Sequence, residues 1–360
     1  MKSITLTKLP FELQLNDKLT NQVLNTELFK KINNKKTQID DVKHKWDSAK
    51  KISNDCEYVY TSSNSNKNIS NIIPVSRSFF KLREIIYEYK IHLNDTCACI
   101  AEAPGGFIQS ILKFTEDKKL NISTIHGITL VSEDKDIPYW NPLLLSNPKV
   151  VICNGKDGTG DLYKLENILY FIQSCGKQSC SFVTADGGFD YTKDFEQELS
   201  SYKLFYSEIM IALHIQSNGG TFICKLFDLF WYSSLQLIYI LYLSYETISF
   251  IKPSTSRQSN SEKYIVCRGF KGYNKTISNL MCMYFTKDFL PIDLPEQFIS
   301  MIDIYHKQFI NHQINRIDHT LQLIKQRRNL DKPTKQQIQL AISWCQKYEI
   351  PINKNCYYFR

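Results

Sequence analysis

The chain has 360 residues, 43% of them apolar and 22% charged, enough to bury a sizeable core and too apolar for a disordered chain. Lys and Arg outnumber Asp and Glu by 44 to 36, and the net charge of +8 suits a polyanionic partner. The eleven cysteines lack C-x-x-C spacing and sit mostly in apolar runs (Cys97, Cys99, Cys224, Cys267), which argues against a disulfide framework or zinc site and for reduced core thiols in a reducing, intracellular compartment.

Met1 to Pro10 lacks the apolar core of a signal peptide. Residues 1–70 are polar and basic. They carry a helical stripe (Leu19, Val23, Leu24, Leu28, Ile32), a basic stretch from Lys43 to Lys51 around Trp46, and a flexible-looking loop, Ser62 to Asn66. From Ser76, a plausible N-cap, a helix is predicted with Phe79, Phe80, Leu82, Ile85, Ile86 and Tyr89 on its apolar face. Lys81 lies within that stripe, where a lysine ordinarily snorkels to solvent.

Cys97 to Ala101 then reads as a buried strand that stops at Pro104-Gly105-Gly106, and Ile108, Ile111 and Leu112 follow at helical spacing. Two glycines at such a turn would let a ligand lie against bare backbone at a helix N-terminus. Neither G-x-G-x-x-G nor G-x-x-x-x-G-K-[ST] occurs, which argues against a dinucleotide or P-loop site.

Further strands are predicted at Ile122–Leu130, Val150–Cys153, Ser181–Ala185, Thr221–Cys224, Thr247–Ile251 and Tyr264–Cys267. A helix from Gln197 to Ile215 should end at Gly219-Gly220. The uncharged run Leu229 to Tyr245 carries Gln236 and several Ser and Tyr residues, and reads as a helix buried on a sheet and not as a membrane span. Helices are predicted near Pro295–Leu323 and Thr334–Tyr348. Alternating strands and helices imply an α/β fold whose mostly parallel, seven-stranded sheet binds ligands at the strands' carboxyl ends. The division expected is a helical, basic extension (1–70), a central domain (71–270) and a helical C-terminal region (271–360).

Lys81, Asp186, Lys225 and Glu262 stand where strand ends and a neighbouring helix could converge. With the glycine loop, the Asp157-Gly158-Thr159-Gly160-Asp161 loop, Asp186-Gly187-Gly188-Phe189, Gly219 to Asp228 and Lys252 to Cys267, they resemble the Lys-Asp-Lys-Glu tetrad of FtsJ/RrmJ-type ribose 2′-O-methyltransferases. The likeness spans Ser76 to Gly269 and is strongest to the branch that converts cap 0 to cap 1 on mRNA.

That resemblance implies a Rossmann-like fold and S-adenosyl-L-methionine as cofactor. It places Ser76, Ala101, Glu102, Ala103, Pro104, Gly105, Gly106, Phe107, Asp161 and Leu162 against the cofactor, and Lys43, Asp47 and Asn260 against capped mRNA. No metal is implied. Glu102 stands where the family often has small residues, and either orients the methionine amine or is merely tolerated. Trp46, Tyr58, Tyr60, Phe189 and Tyr191 are the aromatics available to stack a methylated guanine. Lys225 is the expected base, its ammonium disfavoured by Lys81, burial and the sulfonium, while Lys81 could instead stabilise the oxyanion. Other capping enzymes or RNA polymerase are conceivable partners, and no membrane is implied. The Lys-, Asn- and Ile-rich composition of an AT-rich gene would suit a large DNA virus and its cytoplasmic factory or virion; otherwise the nucleus is expected. Ribosomal or transfer RNA as substrate, or a non-catalytic RNA-binding role, are the alternatives.

Overall fold

Along the strand Asp95–Ile100, successive buried side chains face opposite ways: Cys97 and Cys99 enter one apolar cluster, Ala98 and Ile100 the other. A sheet apolar on both faces must be covered on both, and helices cover it here. The computed structural model describes residues 3–18, 20–188, 197–326 and 332–359. Its strands are β1 (Ile4–Thr5), β2 (Gln14–Leu15), β3 (Asp95–Ile100), β4 (Ile122–Ile128), β5 (Val150–Cys153), β6 (Cys180–Ala185), β7 (Gln216–Leu226), β8 (Tyr245–Ile251), β9 (Lys263–Phe270) and β10 (Ile292–Asp293). The α-helices are α1 (Thr26–Thr37), α2 (Lys43–Ile52), α3 (Ser78–Glu88), α4 (Gly106–Lys118), α5 (Pro142–Leu145), α6 (Leu165–Cys175), α7 (Gln197–Ile215), α8 (Tyr232–Ser244), α9 (Lys275–Met283), α10 (Glu296–Lys325) and α11 (Lys335–Lys347).

The main sheet runs β1-β8-β9-β7-β6-β3-β4-β5. β5, β4, β3, β6 and β7 are mutually parallel, and β9 lies antiparallel between β7 and β8. This is the expected α/β architecture with one strand more than the seven predicted. The eighth, β1, pairs Ile4 and Thr5 with Phe250 and Ser249; two residues are too few to leave a periodic signal.

The helix α8 is buried along nearly its whole length against the sheet, as the uncharged run implied. Among the described residues no helix is long and apolar enough to cross a membrane. All eleven cysteines are free and ten are buried.

Three expectations need correction. Gly219-Gly220 does not end α7, which stops at Ile215; the glycines lie inside β7, where Gly219 has φ +76° and the pairing with β6 shifts register. They mark a bulge and not a helix cap. The first helix starts at Thr26, capped by Asn25, so Val23 instead forms a bridge to Trp231 and Leu19 lies outside the described residues. The loop at Ser62 to Asn66 is tied down: the buried Asn68 accepts from Thr61 and Ser62 backbone N–H at 2.8 and 3.2 Å and donates to the Ser62 carbonyl at 2.7 Å.

The terminal extensions pack on each other and on the loops at the carboxyl ends of the strands. Leu28 and Ile32 of α1 join Ile310, Ile314 and Ile317 of α10 in one cluster, each fully buried side chain contributing about 1.5–3 kcal/mol. Gln313 of α10 donates to the Ser259 carbonyl at 3.2 Å, and Lys36 of α1 pairs with Asp228 at 3.2 Å. The segment after β7 and the loop between β8 and β9 are thus each held from outside.

Candidate active site

Four charged side chains distant in sequence meet at one edge of the sheet. Lys81 comes from α3, Asp186 from the end of β6, Lys225 from the end of β7 and Glu262 from the residue before β9. Lys81 Nζ lies 2.8 and 2.9 Å from the two Glu262 carboxylate oxygens. Lys225 Nζ donates to the Asp186 carbonyl at 2.7 Å and lies 3.4 Å from Asp186 Oδ1, which also accepts from the Tyr264 hydroxyl at 2.7 Å. Adjacent β6 and β7 bring the second pair together, since Ala185 is in register with Cys224.

The two pairs form one electrostatic unit. Burial works against the Glu262 carboxylate, yet Lys81 and Lys225 together bring it down to about 2. Burial likewise disfavours the Lys225 ammonium, but Asp186, Glu262 and Glu208 outweigh it and hold Lys225 above the ordinary lysine range. The expected lowering of Lys225 by Lys81 and burial is therefore reversed by the carboxylates around it.

The framework of the tetrad is polar and buried. Ser256 donates to Glu262 at 2.7 Å. The Lys252 ammonium, brought down to about 7 by burial, donates to the Glu262 carbonyl at 2.6 Å and to Asn260 O and Oδ1 at 2.7 and 2.8 Å. The exposed Asn260 thus braces the β8–β9 loop through Lys252. Glu84 of α3 accepts from Ser254 N and Oγ, both at 2.8 Å, and from Trp344 Nε1 of α11 at 2.9 Å.

Sequence reasoning missed Glu57. Fully buried, it accepts from both terminal nitrogens of Arg77 at 3.2 Å, from Arg257 at 3.1 and 3.3 Å, and from Asn54 at 3.0 Å. It ties the N-terminal extension to the residue before α3 and to the loop that carries Glu262. A lone glutamate in the sequence Asp55-Cys56-Glu57-Tyr58 gives no pattern that could have revealed this.

Protein side chains pack closely around the glycine turn. A Cβ on Gly105, where φ is +106°, would lie 2.1 Å from Leu144 Cδ1, and one on Gly106 would lie 2.1 Å from Ser78 Oγ and 2.3 Å from Ser76 Oγ. Protein side chains fill the space the missing Cβ atoms leave. Ser76 lies two residues before α3 and is not its N-cap, yet its Oγ accepts from Ser78 N at 3.3 Å. Glu102, only 2% exposed, accepts from Phe107 N at 2.5 Å and Ile108 N at 3.3 Å, capping α4. Burial raises its carboxyl well above the usual range.

Next along the edge, Gly160 N donates to Asn154 O at 2.7 Å and Val131 N to Thr159 O at 2.7 Å, locking the loop that carries Asp161 to the end of β4. Asp161 is half-buried, with Oδ1 accepting from Tyr163 N at 2.8 Å, while the Leu162 side chain belongs to the core. Gly160 has φ +62°, and a Cβ there would lie 1.9 Å from the Thr129 carbonyl oxygen. Backbone cannot yield as a side chain can, so Gly160→Ala is expected to cost about 2–4 kcal/mol in urea unfolding.

Lys43 and Asp47 are exposed on α2, and Asp47 pairs with Lys50. Of the aromatics, Tyr58 is in the core, edge-on to Tyr358 at 5.3 Å, and contrary to expectation offers no free face for stacking. Trp46 and Tyr60 are half-buried, and Phe189 and Tyr191 lie outside the described residues.

With this geometry in place, residues 74–270, more than half of the chain, match the family model of the FtsJ-like methyltransferases. The chain belongs to that family. Curated relatives named cap-specific mRNA (nucleoside-2′-O-)-methyltransferase 1 include that of Xenopus laevis, 43% identical over 190 residues, covering 50% of this chain and 21% of its own. That of Trypanosoma brucei brucei is 34% identical over 178 residues, covering 49% and 47%, and that of Mus musculus 42% over 195, covering 50% and 22%. The chain thus spans from about a fifth to about half the length of these relatives. Among solved structures, a ribosomal RNA methyltransferase of Plasmodium falciparum superposes with TM-score 0.41 and 24% identity, over 55% of this chain and 99% of its own. The family segment begins just before Ser76 and closes with β9, so it contains all four charged residues and the glycine turn.

Proposed function

We propose that this chain transfers a methyl group from S-adenosyl-L-methionine to the ribose 2′-hydroxyl of the first transcribed nucleotide of capped mRNA, forming cap 1 from cap 0. The observation that carries the reading is the meeting of Lys81, Asp186, Lys225 and Glu262 at the carboxyl edge of the sheet, within 3.4 Å in each pair. The match to cap-specific relatives supports the substrate.

The donor set suits the cofactor. Asp161, half-buried beside the carboxyl ends of the strands, offers a carboxylate to a ribose diol, and α4 starts at the same edge. Ser76, the loop from Ala101 to Phe107, and Asp161 with Leu162 would hold it. When bound it supplies an electrophilic methyl carbon on a sulfonium, whose positive charge disfavours the ammonium form of a neighbouring lysine.

Lys225 would serve as the base for the hydroxyl proton. Lys225 Nζ, once it has given up its own ammonium proton, would accept the 2′-hydroxyl proton as that oxygen attacks the methyl carbon the cofactor would supply, the S–C electron pair staying with sulfur. Asp186, held by Tyr264, keeps that amine in place. Glu262 and Ser256 hold Lys81 where its charge stabilises the developing oxyanion. Fixing the hydroxyl in line with the methyl carbon supplies much of the remaining rate. Asn260, Lys43 and Asp47 would line the path of the RNA.

The reading is tested by offering the protein labelled S-adenosyl-L-methionine with capped, uncapped and structured RNAs. Label is expected in the first transcribed ribose of capped RNA, and uncapped or structured RNA should take up little. Equal labelling of uncapped RNA would contradict cap specificity and favour ribosomal or transfer RNA.

A further inference from the structure

One buried carboxyl touches both strands that carry the Lys225–Asp186 pair. Glu208, in the middle of α7 and 2% exposed, accepts through Oε1 from Gly187 N at 3.2 Å and through Oε2 from the Cys224 thiol at 3.3 Å. Gly187 follows Asp186 and Cys224 precedes Lys225, so the two arms end one residue away from each partner. The contact also explains the glycine: a Cβ on Gly187 would lie 2.4 Å from Glu208 Oε1. One side chain thus joins the backbone just beyond β6 to the Cys224 thiol on β7, which holds the neighbouring Asp186 and Lys225 at a set separation.

We infer that Glu208 is a positioning residue for methyl transfer, bracing the ends of β6 and β7 and setting through its own ionisation how readily Lys225 gives up its proton. This deepens the function proposed above and rests on it. The charged and titratable groups facing this region are Asp186 just after β6, Cys224 and Lys225 from β7, Glu198 and Tyr202 from α7, and Asp228 beyond β7. Burial pushes the Glu208 carboxyl up to about 8, so around neutrality it is mostly uncharged. As it ionises it adds negative charge beside Lys225 and favours the ammonium. A permanently neutral side chain should therefore release the Lys225 proton at lower pH.

The test compares wild type with Glu208→Gln, which keeps an acceptor for Gly187 N–H and cannot ionise. Two readouts are taken: the pH dependence of single-turnover transfer to capped RNA, and the titration of Lys225 by NMR after reductive methylation, assigned with Lys225→Arg. The rise in rate with pH and the Lys225 titration are both expected to move down by about half a unit or more in Glu208→Gln. Wild-type protein supplies a readout independent of the variant's folding: the Lys225 resonance should show a step near pH 8 as Glu208 ionises. Unmoved profile and titration, or no step in the wild type, would overturn the inference. If capped RNA is not the substrate, transfer fails in the wild type while the Lys225 titration still reports on Glu208, so the two failures are distinguishable.

Discussion

Lys225→Ala is expected to lower single-turnover methyl transfer about 10²–10⁴-fold while leaving S-adenosyl-L-methionine and capped RNA binding within a few-fold of wild type. The lysine side chain is only 12% exposed and ends between the Asp186 carbonyl and carboxylate, so its removal deletes the proposed proton acceptor without touching the exposed residues proposed to meet RNA. Lys225→Arg separates two roles. A guanidinium keeps the positive charge but does not deprotonate, so an arginine as slow as alanine assigns proton transfer to Lys225, and an arginine near wild type assigns it electrostatics alone. Retention of full activity by Lys225→Ala would remove the proposed chemistry, and intact RNA binding without turnover in the wild type would favour the non-catalytic alternative.

Glu57→Ala should destabilise the protein strongly, by about 3–5 kcal/mol in urea unfolding. Its carboxylate is fully buried, and both guanidiniums it holds, Arg77 and Arg257, have only 28% and 27% of their side chains exposed. Truncation leaves two like charges facing each other with their shared acceptor gone. Because Arg77 precedes α3, which carries Lys81, and Arg257 lies in the loop that ends at Glu262, transfer should slow as well. Glu57→Gln, which retains an acceptor, should fall between the two. A loss below about 1 kcal/mol would mean the arginines find other partners.

Much of the fold was legible because its signals are local. The bounds of α7 and the buried character of α8 follow from continuous patterns, and the strands that end in Ala185 and near Lys225 from short apolar runs bounded by glycine or charge. The four charged residues were legible only as a resemblance, since no single one differs in sequence from a surface charge. What escaped was non-local. β1 is two residues that pair with Phe250 and Ser249 more than 240 positions away, and the Glu57 clamp joins residues 20 and 200 positions apart. Gly105 and Gly106 were legible as a turn but not as the place where Leu144, Ser76 and Ser78 pack, because periodicity carries no information on tertiary approach. The direction in which Lys225 is pushed depends on Glu208 and Glu262, and a sum over neighbours needs coordinates.

The claim on which the mechanism rests is that the four charged groups act as one unit on one hydroxyl. A double-mutant cycle tests it: single-turnover transfer to capped RNA is measured for Lys81→Met, Lys225→Met and the double variant. Groups serving one transition state are not additive, so the double variant is expected to be about as slow as the slower single one. Losses that multiply, the double variant slower by the product of the two single effects, would contradict it.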